Sequence, residues 1–310
     1  MSNKIIIAGG TGFLGSAIIK AFPDYEIVVL TRTIRKNEQD IRYVLWDAKN
    51  IGNWTKELEG SKAIINLVGR SVNCRYTDAN KQEIIDSRVD ATLIIGKAIG
   101  ELNKPPEVWV NAGSAAIFGN SGDEVKVEDS LTGSGFSPEV CKAWEKAFAR
   151  YDTPKTRKVF LRIGMVLQQN GGILKPFLNM AKFGLGGKIG TGNQYMTWIH
   201  EQDFTDLIRY TILDADFKGI VHAASPFPVT NKEFMKTIRQ SVNIPFGLPN
   251  PAIFIKIGAV FIGTEAELVL SGRRVVSSVL EKNGFKFKYP YLHDAVTRLL
   301  NENKLSLSKK

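Results

Sequence analysis

Gly9, Gly12 and Gly15 stand three apart in KIIIAGGTGFLGSAIIKAF, residues 4–22. An apolar run from Ile5 to Ala8 leads into them, and Phe13, Leu14, Ala17, Ile18, Ala21 and Phe22 then recur at helical spacing. Strand, tight turn and helix in that order make an anion site. The first glycine permits the bend, the second lets backbone N–H groups approach a phosphate with no Cβ between, and the third lets the helix pack close to the strand. Negative charge then rests on the helix N-terminus, where unpaired amides and the macrodipole favour it. The chemistry such a turn serves is holding a pyrophosphate, as in a dinucleotide.

A turn of this kind needs a sheet behind it. Apolar strand candidates EIVVLTR (26–32), RYVLWD (42–47), AIINLVG (63–69), EVWVNAGS (107–114) and KVFLRIGMVL (158–167) alternate with amphipathic helical segments. That alternation argues a parallel sheet covered by helices on both faces. Between the fourth and fifth strands, DANKQEIIDSRVDATLIIGKAIGEL reads as a long crossover helix. Beyond residue 167 the pattern changes: GGILKPFLNMAKFGLGGKIGTGNQYMTWIHEQD is glycine-rich and reads as loop, FTDLIRYTIL as a helix and GIVHAASP as a strand. Residues 227–300 read as helices with proline-rich joints, NIPFGLPNP being the clearest. The expected organisation is a nucleotide-binding domain over 1–166, its sheet completed by about 193–226, and a smaller, mostly helical domain from 167–192 and 227–310. A cleft between the two is the expected site, with Gln194, Trp198 and His200 of the GTGNQYMTWIHEQD stretch placed to meet a ligand.

Composition narrows the function classes. In 310 residues, 44% hydrophobic and 23% charged, there is material for a large core and no sign of a disordered chain. Cys74 and Cys141 form no Cys-x-x-Cys pair, and His200, His222 and His293 are scattered, so neither a disulfide framework nor a metal site is expected. No apolar stretch reaches the ~20 residues of a spanning helix, and a strand begins at once at the N-terminus. The expectation is a cytoplasmic protein with no membrane partner. A net charge of +10 could serve nucleic acid, an acidic membrane surface, a phosphorylated ligand or solubility. Without a basic helix or an aromatic-studded sheet, nucleic acid is disfavoured.

Taken together, the glycine turn, NLVG at the end of the fourth strand, Ser114 at the end of the fifth and the Leu161–Gly164 strand resemble the extended branch of the short-chain dehydrogenase/reductase superfamily. NLVGRSV, KQEIIDSRVDAT, CKAWE, GTGNQYMTWIHEQD and SGRRVVSSVLEKNGFKFKYP resemble, more closely, an atypical group of epimerase family proteins with a C-terminal domain of unknown function. The resemblance implies an α/β fold with a doubly wound, Rossmann-like parallel sheet. It places Gly9, Thr11, Gly12, Phe13 and Leu14 on the pyrophosphate. Arg32 takes the place after the second strand where NAD-preferring relatives keep an acidic residue for the ribose 2′-OH; an arginine there attracts a 2′-phosphate, so NADP is favoured over NAD. Asp47 resembles the residue that meets the adenine amino group, and Leu67, Val68 and Gly69 the path between the riboses. Arg88 stands where extended relatives keep an asparagine, and would either add positive charge near the cofactor or cap a surface network.

The family's usual tyrosine and lysine, four apart on one helix face, are absent from PEVCKAWEKAFARY. Cys141 and Glu145, at i and i+4, flank that helix's apolar stripe, and one or the other becomes the candidate for an unconventional acid/base, with Ser114 as the hydroxyl donor. Tyr151 and Lys155 match the motif literally, but Pro154 lies between them, so they need not share a helical face. Phe118 stands where relatives often place a tyrosine and carries no exchangeable proton. Two functions follow: an NADP-dependent oxidoreductase or epimerase-type enzyme acting on a small molecule, or an NADP(H)-binding sensor that turns nothing over.

Overall fold

Seven apolar segments pair in parallel in a computed structural model that describes residues 3–38, 40–168 and 171–307. They are β1 (Lys4–Ala8), β2 (Glu26–Thr31), β3 (Ile41–Leu45), β4 (Ala63–Asn66), β5 (Val108–Ser114), β6 (Arg157–Ile163) and β7 (Gly219–Ala223). Their order across the sheet is β7-β6-β5-β4-β1-β2-β3. In register, Ile5 of β1 lies between Ile27 and Ala63. Such unbroken Ile/Val runs are what a sheet covered on both faces requires. The helices are α1 (Phe13–Ala21), α2 (Asp78–Glu101), α3 (Phe136–Ala149), α4 (Leu174–Lys182), α5 (Glu201–Leu213), α6 (Asn231–Ser241), α7 (Ala252–Phe261), α8 (Glu267–Leu270), α9 (Ser278–Lys282) and α10 (Leu292–Leu307). No described helix is long and apolar enough to cross a membrane.

The two sheet faces build separate cores. Ile5, Ile7, Val29 and Ile65 pack with Ile18 of α1 and Phe204 and Leu207 of α5. On the other face Ile6, Val28 and Ile64 pack with Ala91 and Ile95 of α2 and Trp144 and Phe148 of α3. A third core joins Phe177 of α4, Phe234 and Ile238 of α6 and Val296 of α10 around Trp198.

Three local expectations change. The stretch after Gly172 is not loop: Leu174, Phe177, Leu178 and Ala181 form the buried stripe of α4, with Pro176 tolerated in its first turn. The strand drawn as 158–167 divides at Gly164, so that β6 stays in the main sheet while Met165–Gln168 pairs with Trp198–His200. The fourth strand ends at Asn66, where the Leu67 amide still donates to the Ala8 carbonyl at 2.9 Å and the chain leaves the ladder from Val68.

Two buried polar clusters fasten the layers. Asn66 Nδ2 donates to Asn111 Oδ1 at 2.7 Å and to Thr92 at 3.2 Å, and the Trp144 indole donates to Thr92 at 3.0 Å. Farther along, Glu128 accepts the His222 amide at 3.0 Å, the Ser277 hydroxyl, and both the amide (3.0 Å) and hydroxyl (2.9 Å) of Ser278.

Candidate functional site

The chain leaves β1 through α1 towards one face of the sheet and leaves β4 towards the other, where α2 packs. At such a reversal the loops part and open a crevice at the carboxyl ends of the strands. A cleft of about 1710 Å³ lies there, lined by Gly9, Thr31, Leu67 and Ser114 from the ends of β1, β2, β4 and β5. Its opposite wall comes from Pro176, Phe177 and Met180 of α4 and Phe254, Ile255, Gly258 and Ala259 of α7.

The three glycines take distinct positions. Gly9 has φ +76°, and a Cβ there would meet the Leu67 and Val68 backbone at 3.1 Å. At Gly15 a Cβ would lie 2.2 Å from the Gly10 carbonyl oxygen, so α1 rests directly on the turn. Around Gly12 there is room: the nearest atom to a Cβ would be Gly9 O at 3.6 Å. Gly12 is also the N-cap of α1, with no side-chain cap and no acidic residue in the first turn. The helix thus presents uncapped amides to the cleft, beside Thr11, Phe13 and Leu14.

Past β2, Arg32 lines the cleft and makes no ion pair with any described residue. Asp47 lines it too, with Oδ1 accepting the Lys49 and Asn50 amides at 2.9 and 2.8 Å and Oδ2 the Asn50 side chain at 2.7 Å. Those hydrogen bonds, the Asn50 side chain foremost, hold its pKa at about 2, so it is a fixed carboxylate. Val68 N donates to Asn66 Oδ1 at 3.1 Å, which ties the Leu67–Gly69 segment to the buried asparagine cluster. The Arg88 guanidinium lies against Gly69, 5.1 Å from the Trp144 ring centre, and donates to the Ile84 carbonyl at 2.8 Å. It has no carboxylate partner among the described residues. Ser114 lines the same cleft, its Oγ accepting the Ala116 amide at 3.1 Å.

Cys141 and Glu145, expected beside these groups, do not line the cleft. Cys141 is buried among Ala115, Ile117, Phe118 and Val275, and burial pushes its thiol up to about 12, so it is neutral and inaccessible near pH 7. Glu145 is bound by Arg162 through Nε at 2.7 Å and Nη2 at 3.0 Å. Gln194, Trp198 and His200 are likewise structural. The Gln194 amide donates to the Ile189 and Val269 carbonyls, Trp198 is fully buried, and His200 caps α5 by accepting the Gln202 amide at 3.0 Å. Tyr151 and Lys155 stand outside the cleft, Lys155 exposed beyond Pro154. Phe118 is buried under the Arg162 guanidinium.

Sequence reading missed the Asn66–Asn111–Thr92 cluster and the apolar wall from α4 and α7. Asn66 was visible as the polar residue in AIINLVG, a strand otherwise apolar.

Residues 5–150 match the NAD dependent epimerase/dehydratase family, and residues 251–299 match a domain of unknown function, DUF1731. Over 305 residues the chain is 32% identical to epimerase family protein YfhF of Bacillus subtilis, covering 97% of this chain and 99% of that protein. The chain belongs to the epimerase family. Within it, the arrangement is that of the atypical extended short-chain dehydrogenase/reductases that carry the DUF1731 segment. A plant member, the chloroplastic SDR39U1 homolog of Arabidopsis thaliana, is 30% identical over 310 residues, covering 96% of this chain and 86% of its own. The human family member SDR39U1 (isoform 2), solved with NADPH, superposes with a TM-score of 0.83 at 26% identity, covering 96% of this chain and 98% of that one. MoeE5 in complex with UDP-glucose and NAD, at 18% identity and a TM-score of 0.75, shares the fold.

Proposed function

We propose that this epimerase family member binds NADP(H) in the cleft and is an NADP(H)-dependent oxidoreductase or nucleotide-sugar-epimerase-like enzyme. The observation that carries the reading is Arg32, a guanidinium with no ion-pair partner among the described residues, on the cleft where a carboxylate would otherwise meet a ribose 2′-OH. The human relative solved with NADPH supports it. The residues fit the nucleotide: the uncapped α1 amides at Gly12 suit a pyrophosphate, Arg32 a 2′-phosphate, Asp47 an adenine amino group, and Leu67–Gly69 the run between the riboses. On this reading residues 1–166 with β7 hold the nucleotide, and 167–192 with 227–310 close over the substrate.

A bound nicotinamide supplies or accepts hydride. The chain's own contribution is orientation and charge. Because Ser114 Oγ accepts from the Ala116 amide, its hydroxyl hydrogen is left to donate to a substrate oxygen. Arg88 adds a permanent positive charge on the same cleft for an oxygen that becomes anionic. The described lining contains no tyrosine or histidine and, of lysines, Lys49 alone. The carboxylates on it are Asp47, Glu83, Asp86, Asp90 and Glu265, so the proton passes through one of these, through water or through the substrate itself. That lining also supports the second reading, in which NADP(H) is bound and sensed without turnover.

The test is titration with NADPH and NADH, then the decay of NADPH absorbance against pooled metabolites. Tighter NADPH binding is expected, with turnover falling ~10²–10⁴-fold in Ser114→Ala. Equal affinities would remove the NADP assignment. A parent protein that binds NADPH and oxidises it with no metabolite would leave the sensor.

A further inference from the structure

Helix α7, AIFIKIGAVF, is apolar or glycine at every position but Lys256, a pattern closer to a buried helix than to a surface one. Yet much of it is exposed. Phe254, Ile255, Gly258 and Ala259 turn one side to the cleft, whereas Ile253, Val260 and Phe261 are 59, 60 and 85% exposed. The patch continues beyond the helix. Leu248 N donates to the Gly184 carbonyl at 2.8 Å and Gly187 N to the Leu248 carbonyl at 3.1 Å, which brings the loop before α7 beside the loop after α4. Phe246 and Leu248 on one loop are 81 and 67% exposed, and Phe183 on the other 82%. Monomeric soluble proteins rarely leave so continuous an apolar surface uncovered.

Charge says what covers it. Residues 171–200 and 234–264, which carry the whole patch, contain Lys175, Lys182, Lys188, Lys236, Arg239 and Lys256 and no aspartate or glutamate. Lys182, Lys188 and Lys256 are exposed beside the apolar residues. A second copy seated on this face by a twofold axis would set one lysine-bearing surface against the same surface of the other, and like charges across an interface oppose association. An anionic bilayer surface satisfies both features: aromatic and branched side chains enter the acyl boundary while lysines meet the headgroups.

We propose that α7, with the loops holding Phe183 and Phe246, docks this protein on the surface of an anionic phospholipid membrane. The helix lies in the interface without crossing it, and its inner side keeps the cleft wall. Docking departs from the expectation of no membrane partner, which rested on the lack of a spanning segment. It stands independently of the nucleotide reading, since its probe is lipid alone.

The experiment is co-sedimentation of the full chain with vesicles of phosphatidylglycerol mixed with phosphatidylcholine, and with phosphatidylcholine alone. Binding to the mixed vesicles that weakens as salt rises is expected. Ile253→Ser with Phe261→Ser should weaken it about tenfold or more, since both side chains leave the acyl boundary. Lys182→Glu, Lys188→Glu and Lys256→Glu together should weaken it by at least roughly fivefold for each lysine, with every apolar residue kept. Circular dichroism and thermal unfolding check that the variants are folded. No pelleting with the mixed vesicles, or equal pelleting of both variants and the parent, would overturn the proposal. So would a concentration-dependent dimer in sedimentation velocity that Phe261→Ser dissolves in a protein indifferent to vesicles.

Discussion

Arg162 on β6 holds Glu145 on α3 with two hydrogen bonds, Nε to Oε1 at 2.7 Å and Nη2 to Oε2 at 3.0 Å. The same guanidinium donates to the Glu128 carbonyl at 2.9 Å and lies over the Phe118 ring. A carboxylate so engaged orients an arginine and is not available to carry protons to a substrate. Glu145→Gln should therefore cost about 3 kcal/mol of stability, by leaving a buried cation without its counter-ion. The pH profile of any turnover should keep its shape. Denaturant unfolding and a pH–rate series check the two halves; a lost ionisation in the profile would restore Glu145 as an acid/base.

Cys141 should behave as a small apolar side chain. With the thiol held neutral up to about 12 by burial, alkylation of the folded protein should fall first on the partly exposed Cys74. Because the folded chain keeps a proton that an unfolded cysteine releases above about pH 9, this thiol contributes stability that declines as pH rises past that point. Mass spectrometry after brief iodoacetamide treatment reads the order of labelling. Modification of Cys141 ahead of Cys74 would contradict the buried placement.

Arg32→Asp should reverse the nucleotide preference. The lost charged hydrogen bonds are worth roughly 1.5–3 kcal/mol, and the new carboxylate repels a 2′-phosphate while accepting from a 2′-OH. Parallel NADPH and NADH titrations of parent and variant measure it. An unchanged ratio would show that the 2′ position is read elsewhere.

Gly12→Val and Gly15→Ala should fail differently. A side chain at Gly12 meets open cleft, so the sheet should form while nucleotide affinity is lost. At Gly15 even one carbon meets backbone at 2.2 Å, so stability itself should fall. Thermal unfolding alongside NADPH titration separates the outcomes, and full affinity in Gly12→Val would make this turn structural alone.

His200 should set an acid limit on stability. Burial first, then the nearby charges of Arg298 and Lys288, lower its pKa to about 4. The unfolded chain takes up that proton below about 6.5 and the folded chain resists, so stability is lost as pH falls from 6.5 towards 4, by roughly 3 kcal/mol in all. Asparagine is a good helix cap, so His200→Asn should keep the start of α5 and flatten this dependence. Urea midpoints across that range check it, and an equally steep loss in the variant would place the acid sensitivity elsewhere.

The sheet was legible because its strands are long apolar runs with helices between, and the cleft-lining glycines because backbone geometry demands them. α4 was hidden by its neighbours: the glycines on either side outweighed a nine-residue stripe whose Leu174, Phe177, Leu178 and Ala181 are all buried. The roles within α3 turn on angle. Successive residues of a helix lie about 100° apart, so Trp144 reaches the cleft while Glu145, next in sequence, points to Arg162. Spacing on one helix gives which residues share a face, and the direction of that face comes from strands far away in the chain. The asparagine cluster joins positions 66, 92 and 111, and no local pattern announces such a meeting.

Glu128 lies within the part that matches the epimerase family, and Ser277 and Ser278 lie within the part that matches DUF1731. Three of the four donors on that carboxylate come from the second part. A gene cut between the two would therefore take away three of the four donors and leave Glu128 with the His222 amide of β7. The C-terminal segment thus completes the hydrogen bonding of a carboxylate that belongs to the first part, and the two share that anchor.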